Sequence, residues 1–213
     1  MNQAAAEAFL LLATVLLFLP LPISSLSTFT SSLAFPSCHC NVNKPLQYVL
    51  YMSDDAIKKR LSRWDSGVQG ISLGKWRNIP ISDLSNTCDT HVVFSRSVDY
   101  HVPVTPPAFL KPFVGNIQAF QHKDQDLLDC TSSDRFVMNE NAVISNLPVV
   151  SSITVSVVTP VVSGASPTAN ITVIHQDLPW YMQMVSPDIH TEILRRTEDL
   201  WRITVADICR CAV

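Results

Sequence analysis

Three stretches of the chain have a hydrophobic periodicity that predicts their secondary structure. Apolar and polar residues alternate in 91–102 and in 151–162, and this period of two predicts strands with one buried face. Turn residues at 163–167 follow, and 169–176 returns as the partner strand of a β-hairpin. Residues 186–208 have instead a broad apolar stripe at helical spacing, behind a Ser-Pro-Asp helix start. Strands followed by a long C-terminal helix predict an α+β protein whose helix packs on a sheet.

A shorter helix is predicted ahead of these elements. Ser53 can cap its N-terminus, and the acidic pair that follows suits the positive end of the helix dipole. Ile57, Leu61 and Trp64 then fall on one face of the helix.

The remaining segments have weaker patterns. We predict a short apolar strand at 46–52, a helical turn or two at 116–122 and a polar loop at 123–133. Residues 135–138 and 142–144 are predicted as two short strands that Asn139-Glu140-Asn141 joins.

The N-terminal residues indicate targeting. An uncharged apolar block at 8–21 fits the core of a signal peptide and is short of the roughly 20 residues that a membrane span needs. A Ser/Thr-rich stretch at 24–37 follows, and its Leu-Ala-Phe-Pro-Ser order resembles the bipartite presequences of algae with secondary plastids. We therefore predict a signal or bipartite leader at 1–34, a linker at 35–45 and a single α+β domain at 46–213.

The leader predicts entry into the secretory pathway. A bipartite leader implies delivery to a plastid, whereas a simple signal peptide implies an extracellular protein. An uncleaved leader would instead associate the protein with a membrane.

Charge excludes one class of partner. The net charge is −3, only 15% of the residues are charged, and no basic stripe follows the chain. Proteins that bind nucleic acid neutralise phosphates with such stripes, so we expect no nucleic-acid partner.

The cysteines and one asparagine are the residues with the clearest chemistry. An even set of six in a secretory chain permits three disulfides in fifteen pairings, and the set is Cys38, Cys40, Cys88, Cys130, Cys209 and Cys211. A bridge between the two Cys-x-Cys pairs at opposite ends would close a long loop and stabilise the fold, whereas a reducing plastid stroma would leave free thiols. Asn170-Ile171-Thr172 is a glycosylation acceptor sequence in the secretory lumen.

No motif predicts an activity. The nucleophile elbow, the zinc-protease helix, the Cys-x-x-Cys pair and the phosphate-binding glycine loop are all absent from the sequence. The spacing of the cysteines is also wrong for structural zinc. We predict no catalytic residue, no metal site and no cofactor, and a non-enzymatic role is favoured over an enzymatic one.

Two stretches together resemble a known family. The first contains Phe94-Ser95-Arg96-Ser97-Val98, Val102-Pro103-Val104 and the segment 107–113, and the second is 173–208, with Asp177-Leu178-Pro179 and Ser186-Pro187. Their order resembles a domain-of-unknown-function family of cyanobacteria and plastids. That resemblance implies a curved antiparallel sheet that grips a long C-terminal helix, similar to lipid-binding helix-grip domains.

Two functions follow as expectations. The resemblance implies a non-enzymatic domain that binds an apolar small molecule, of the lipid or pigment type, in a plastid or secretory compartment. The cysteines and the acceptor sequence imply instead a secreted structural or interaction protein that disulfides hold together.

Overall fold

A computed structural model describes residues 26–40, 53–80, 92–105, 108, 111–129, 135–147, 152–162, 164–176 and 186–211. Within these ranges the helices are α1 (Asp54–Trp64), α2 (Lys111–Val114) and α3 (Ser186–Ile208). The strands are β1 (Ser27–Ala34), β2 (Cys38–His39), β3 (Gln69–Leu73), β4 (Arg77–Pro80), β5 (Val92–Val104), β6 (Ile117–Asp129), β7 (Arg135–Ser145), β8 (Ser152–Val162), β9 (Thr168–Gln176) and β10 (Arg210–Cys211). None of the helices in these ranges combines the length and the apolar character that crossing a membrane requires.

Most of the described strands belong to one antiparallel sheet. Its order is β1-β9-β8-β7-β6-β5-β3, and β4 pairs with β5 next to β3. The strands β5 to β8 each pair with the strand that follows them in sequence, and these pairings include the predicted β8–β9 hairpin. The sheet is curved and packs against α3, so the predicted α+β arrangement is confirmed.

The face of the sheet that packs against α3 is termed the inner face. Over β1, β9 and β8 it is almost entirely apolar, because the period of two places one set of residues inward on each strand. These buried residues, termed the apolar half with the side chains of α3 that cover them, are Leu33, Ile153, Val155, Val157, Val161, Ala169, Ile171, Val173, Trp201, Val205 and Ile208. Each large side chain buried here contributes about 1.5–3 kcal/mol.

Helix α1 begins as its sequence predicts. The Ser53 hydroxyl accepts a hydrogen bond from the backbone N–H of Ala56 at 3.4 Å, which satisfies one donor of the first turn. Ile57 and Leu61 pack against Tyr100 of β5 and Leu200 of α3. The helix therefore covers the β5 end of the inner face.

Residues 27–40, which the sequence assigns to the leader and the linker, are part of the fold. Strand β1 pairs with β9 along its whole length, and Leu33 is buried on the inner face. The Phe29 ring lies 3.6 Å from the His190 ring of α3, and the Ser31 hydroxyl donates to Glu198 Oε1 at 2.9 Å. Residues 27–40 thus contribute to the core, whereas cleavage of a leader stays a prediction.

Two disulfides fasten this N-terminal segment to the end of α3. Strands β2 and β10 pair antiparallel, with Cys38 opposite Cys211. Cys38 is bonded to Cys211 and Cys40 to Cys209, across 173 and 169 residues of sequence. Nearly the whole described chain therefore lies inside covalently closed loops.

Three local predictions are wrong. The helical turn predicted at 116–122 and the polar loop predicted at 123–133 are largely one strand, β6, which pairs with β5 and β7 on its two edges. The two short strands predicted at 135–138 and 142–144 are a single strand, β7, and Asn139-Glu140-Asn141 continues it. Pairing on both edges satisfies the backbone and overrides the weak local propensity. The strand predicted at 46–52 lies outside the described residues.

Candidate functional site

A cluster of buried polar side chains occupies the inner face over β5, β6 and β7. The strand register places Gln125 of β6 between Arg96 of β5 and Glu140 of β7, and Lys123 precedes Gln125 on the same face. All four side chains are buried, and they are termed the polar half. Charged residues are almost never fully buried unless they are paired, so this cluster requires specific partners.

Lys123 and Gln125 both use Glu140 as their partner. Lys123 Nζ lies 2.9 Å from Glu140 Oε2, and Gln125 Nε2 donates to Glu140 Oε1 at 2.6 Å. Because the amide nitrogen must face the carboxylate, the orientation of the Gln125 amide is determined. Its carbonyl oxygen Oε1 then has no hydrogen-bond partner among the described residues.

Tyr100 completes the arrangement from β5. Its ring centroid lies 5.7 Å from Lys123 Nζ, and the hydroxyl is buried. Burial raises the pKa of Tyr100, and the positive charge of Lys123 opposes this rise without cancelling it. Burial alone would lower the pKa of Lys123, but the attraction of Glu140 and Tyr100 outweighs it and the pKa lies above its ordinary value. Lys123 is therefore an ammonium ion at neutral pH.

A second ion pair joins the two helices above the polar half. Arg60 of α1 is buried, and its Nε lies 3.4 Å from Asp207 Oδ2 of α3. Arg63, on the same helix, reaches Asp207 Oδ1 at 2.9 Å. Burial lowers the pKa of Arg60, while Asp207 and Glu140 act in the opposite direction, so the guanidinium stays charged.

Arg96 forms an ion pair with the first residue of α1. Its Nη2 lies 2.9 Å from Asp54 Oδ1, and its guanidinium carbon lies 5.0 Å from the centre of the Trp76 ring. The alternation in β5 places this charged residue on the apolar face, where it needs a partner, and Asp54 supplies one. Each buried cation beside the polar half thus has a carboxylate partner.

A small cavity lies between α1, α3 and the polar half. It encloses about 10 Å³, which is close to the space that one water molecule needs. Polar and apolar side chains both line it: Ile57, Arg60, Leu61, Val98, Lys123, Gln125, Glu140, Leu200 and Thr204.

The cavity lining offers hydrogen-bonding groups beside apolar side chains. The residues around the cavity include no Cys, Ser or His, and the Thr204 hydroxyl donates to the backbone oxygen of Leu200 at 2.8 Å. An activated nucleophile normally donates its hydrogen to a neighbouring base, whereas the Thr204 hydroxyl donates to a backbone carbonyl. Among the described residues, no three His, Cys, Asp or Glu side chains lie close enough to hold a metal ion. The arrangement can hold and orient one polar group by hydrogen bonds.

The residues singled out from the sequence lie elsewhere. Cys38, Cys40, Cys209 and Cys211 form the two disulfides next to the apolar half, and Cys88 and Cys130 lie outside the described residues. Neither disulfide includes a residue that lines the cavity.

Asn170 lies on the opposite side of the sheet. It is exposed in the middle of β9, and its Oδ1 accepts a hydrogen bond from the Ser32 hydroxyl of β1 at 3.2 Å. The acceptor asparagine is therefore accessible on the outer face, away from the cavity.

The sequence does not reveal the polar half, because buried positions of β6 are polar where a strand normally has apolar residues. Gln121, Lys123 and Gln125 alternate with a period of two, but their inward positions are polar, so the stretch has no hydrophobic periodicity. A search for period-two polar residues between two predicted strands would have found β6. Glu140 was assigned to a turn because Asn-Glu-Asn is typical of one.

Comparison with known proteins yields similarity in structure alone. No protein-family model matches the chain, and no curated protein sequence matches it significantly. Its structure is similar to that of TTHA0849 from Thermus thermophilus, at 6% identity over 85% of this chain and 97% of that one, with a TM-score of 0.42. Ara h 8.0201 is 10% identical over 86% and 98% of the two chains, with a TM-score of 0.43. The Mll3558 protein from Rhizobium loti is 14% identical over 86% and 98%, with a TM-score of 0.38.

The predicted resemblance is upheld at the level of architecture. The curved antiparallel sheet and the long C-terminal helix have the helix-grip-like arrangement that the resemblance implies. Membership of a cyanobacterial and plastid family stays a prediction, since no family model matches the sequence.

Proposed function

We propose that the protein is a non-enzymatic domain that binds a small apolar molecule of the lipid or pigment type between the inner face and α3. The observation that carries this proposal is the polar half: four buried polar side chains, three of which line a cavity, in a sheet whose other half is apolar. A ligand with an apolar body and one polar group matches both kinds of lining, as small-molecule sites usually do.

The stability of the fold does not require buried charged residues in the polar half. Replacing a buried ion pair by well-packed apolar side chains is often neutral or stabilising, so Lys123 and Glu140 are not needed to hold the sheet together. Local departures from the rule of an apolar core are expected at functional sites. The polar half is such a departure, and the cavity lies beside it.

The proposal includes a compartment. The two disulfides favour an oxidising environment, and we propose the secretory pathway, with delivery to a plastid as the alternative. We also propose that the leader ends before Ser27, because cleavage after Ala34 would remove β1 from the edge of the sheet.

The binding proposal is tested by native mass spectrometry and by uptake of Nile red, a neutral apolar dye. We expect a co-purified small molecule or saturable dye uptake, and Thr204→Leu, which fills the cavity, should lower that uptake. Thr197→Leu is the matched control. It lies on the same helix with the same hydrogen bond to the residue four earlier, but outside the cavity lining.

Absence of any bound molecule together with absence of dye uptake would contradict the proposal. Equal uptake by both threonine variants would show instead that a ligand binds elsewhere.

The disulfides favour a second candidate, a secreted structural or interaction protein. It predicts that Cys38, Cys40, Cys209 and Cys211 are oxidised in the protein recovered from cells, and that Asn170 carries a glycan. Counting reactive thiols after denaturation without reductant tests this: at most two of the six cysteines should react. Six reactive thiols would rule the candidate out.

A further inference from the structure

We infer that the cavity beside the polar half takes the neutral hydroxyl group of an apolar alcohol and discriminates against the matching carboxylic acid. This inference rests on the proposed function and specifies the class of ligand. Its support comes from the charges, the hydrogen-bonding groups and the size of the cavity.

The cations at the cavity already have carboxylate partners. Lys123 is paired with Glu140, and Arg60 shares Asp207 with Arg63. A carboxylate placed here would lie beside Glu140 in a poorly hydrated site, where like charges repel strongly. It would have to be protonated or excluded, whereas a neutral head group avoids this cost.

The hydrogen-bonding groups match a hydroxyl. Gln125 Oε1 is an acceptor without a partner among the described residues, in a side chain that is 4% exposed. A hydroxyl can donate to this oxygen and accept from a neighbouring donor such as the Lys123 ammonium. An ionised carboxylate has no hydrogen to donate, so it would leave Gln125 Oε1 unsatisfied.

The size of the cavity matches a small head group. About 10 Å³ holds one oxygen-sized group, which is less than a phosphate or a sugar occupies. Ile57 and Leu61 of α1 and Leu200 of α3 line the rest of the cavity. The apolar body of the ligand would lie along these side chains, with α1 displaced from α3 to admit it.

The test uses two probes that differ only at the head group: a twelve-carbon alcohol and the twelve-carbon acid, each with the same fluorophore at its far end. Fluorescence titration of the full, oxidised protein near neutral pH gives the Kd of each. We expect the alcohol to bind about tenfold tighter than the acid, the ratio that one hydrogen bond in a buried site supplies.

Gln125→Leu removes the acceptor and should abolish this preference by weakening alcohol binding about tenfold. Gln121→Leu is the matched control, because Gln121 is the same residue type, buried on the same face of β6, outside the cavity lining. It should keep the preference for the alcohol.

The outcomes separate the two proposals. If neither probe binds, the proposed function fails and this inference fails with it. If both bind equally, or the acid binds tighter, ligand binding stands and the assignment of a hydroxyl ligand is overturned. Equal losses in the two glutamine variants would also overturn it. The ratio of the two wild-type affinities decides the matter even if Gln125→Leu does not fold.

Discussion

The two halves of the inner face each span three strands, but different interactions stabilise their buried side chains. In the apolar half Val155, Ile171 and Trp201 pack without needing any particular partner. In the polar half Lys123 and Gln125 are tolerated only because Glu140 lies within hydrogen-bond distance of both. Apolar burial is non-directional, whereas a buried ion pair depends on one geometry. The apolar half therefore supplies stability, and the polar half supplies a defined place for one polar group.

Removing the two disulfides next to the apolar half should lower the free energy of unfolding more than any other change considered. Replacing Cys38 and Cys40 by serine opens closed loops of 173 and 169 residues, and the chain-entropy account predicts a loss of about 5 kcal/mol or more. Most of this loss comes with the last bridge removed, because either bridge alone still closes a long loop. Urea unfolding followed by circular dichroism measures this loss. An unchanged midpoint would show that the bridges do not constrain the unfolded chain.

Trp201→Ala should be the most costly single substitution within the apolar half. Trp201 is 2% exposed, and removing such a side chain costs about 3–5 kcal/mol because the surroundings collapse only partly. The control is Arg202→Ala, on the next, exposed position of α3, which should change the free energy of unfolding by less than about 0.5 kcal/mol. Similar losses in both variants would contradict the packing of this helix face.

In the polar half, a second substitution should restore the stability that a first one removes. Glu140→Leu leaves Lys123 buried without its partner and should cost about 3–5 kcal/mol. Adding Lys123→Met should recover most of that loss, because the pair is then replaced by apolar volume. A double-mutant cycle in urea measures the recovery. If the double variant is less stable than Glu140→Leu alone, the ion pair does more than satisfy its own members.

The Asp99–His122 pair on the outer face should make the smallest contribution to stability, and this contribution should depend on pH. Asp99 Oδ1 lies 2.5 Å from His122 Nδ1, and this hydrogen bond raises the pKa of His122. A raised pKa in the folded state stabilises the protein below the unfolded value of about 6.5, and the contribution is lost as pH rises through the folded pKa.

We therefore expect Asp99→Asn to destabilise the protein by less than about 1 kcal/mol at about pH 5.5, since the pair is largely exposed. The difference from wild type should disappear at about pH 8.5. A difference that grows with pH would show that His122 is neutral in the pair.

Sequence reasoning predicted the elements whose buried positions are apolar. The alternation in β5, the β8–β9 hairpin and the stripe of α3 are visible from hydrophobicity alone. The cap at Ser53 is visible from its hydroxyl residue before a helical pattern. These elements are sufficient to identify an α+β sheet with a long C-terminal helix. The order of strands in the sheet required the structure.

The candidate site escaped prediction because its buried positions are polar. Lys123, Gln125 and Glu140 point inward where hydrophobic residues are expected, so β6 resembled a loop and the centre of β7 resembled a turn. Strand β1 was hidden in another way. Its outward Thr28, Thr30 and Ser32 made the segment resemble a hydroxyl-rich targeting peptide, while Phe29 and Leu33 faced the core side.

The paired bridges at Cys38–Cys211 and Cys40–Cys209 also decide what a single cut in the chain can do. A protease that hydrolyses one peptide bond between residues 40 and 209 produces two fragments that stay joined at both sulfur–sulfur links. The fragments cannot diffuse apart, and the severed protein would migrate as one molecule until a reductant separates it. Damage to a surface loop would therefore leave this protein nicked but still in one piece.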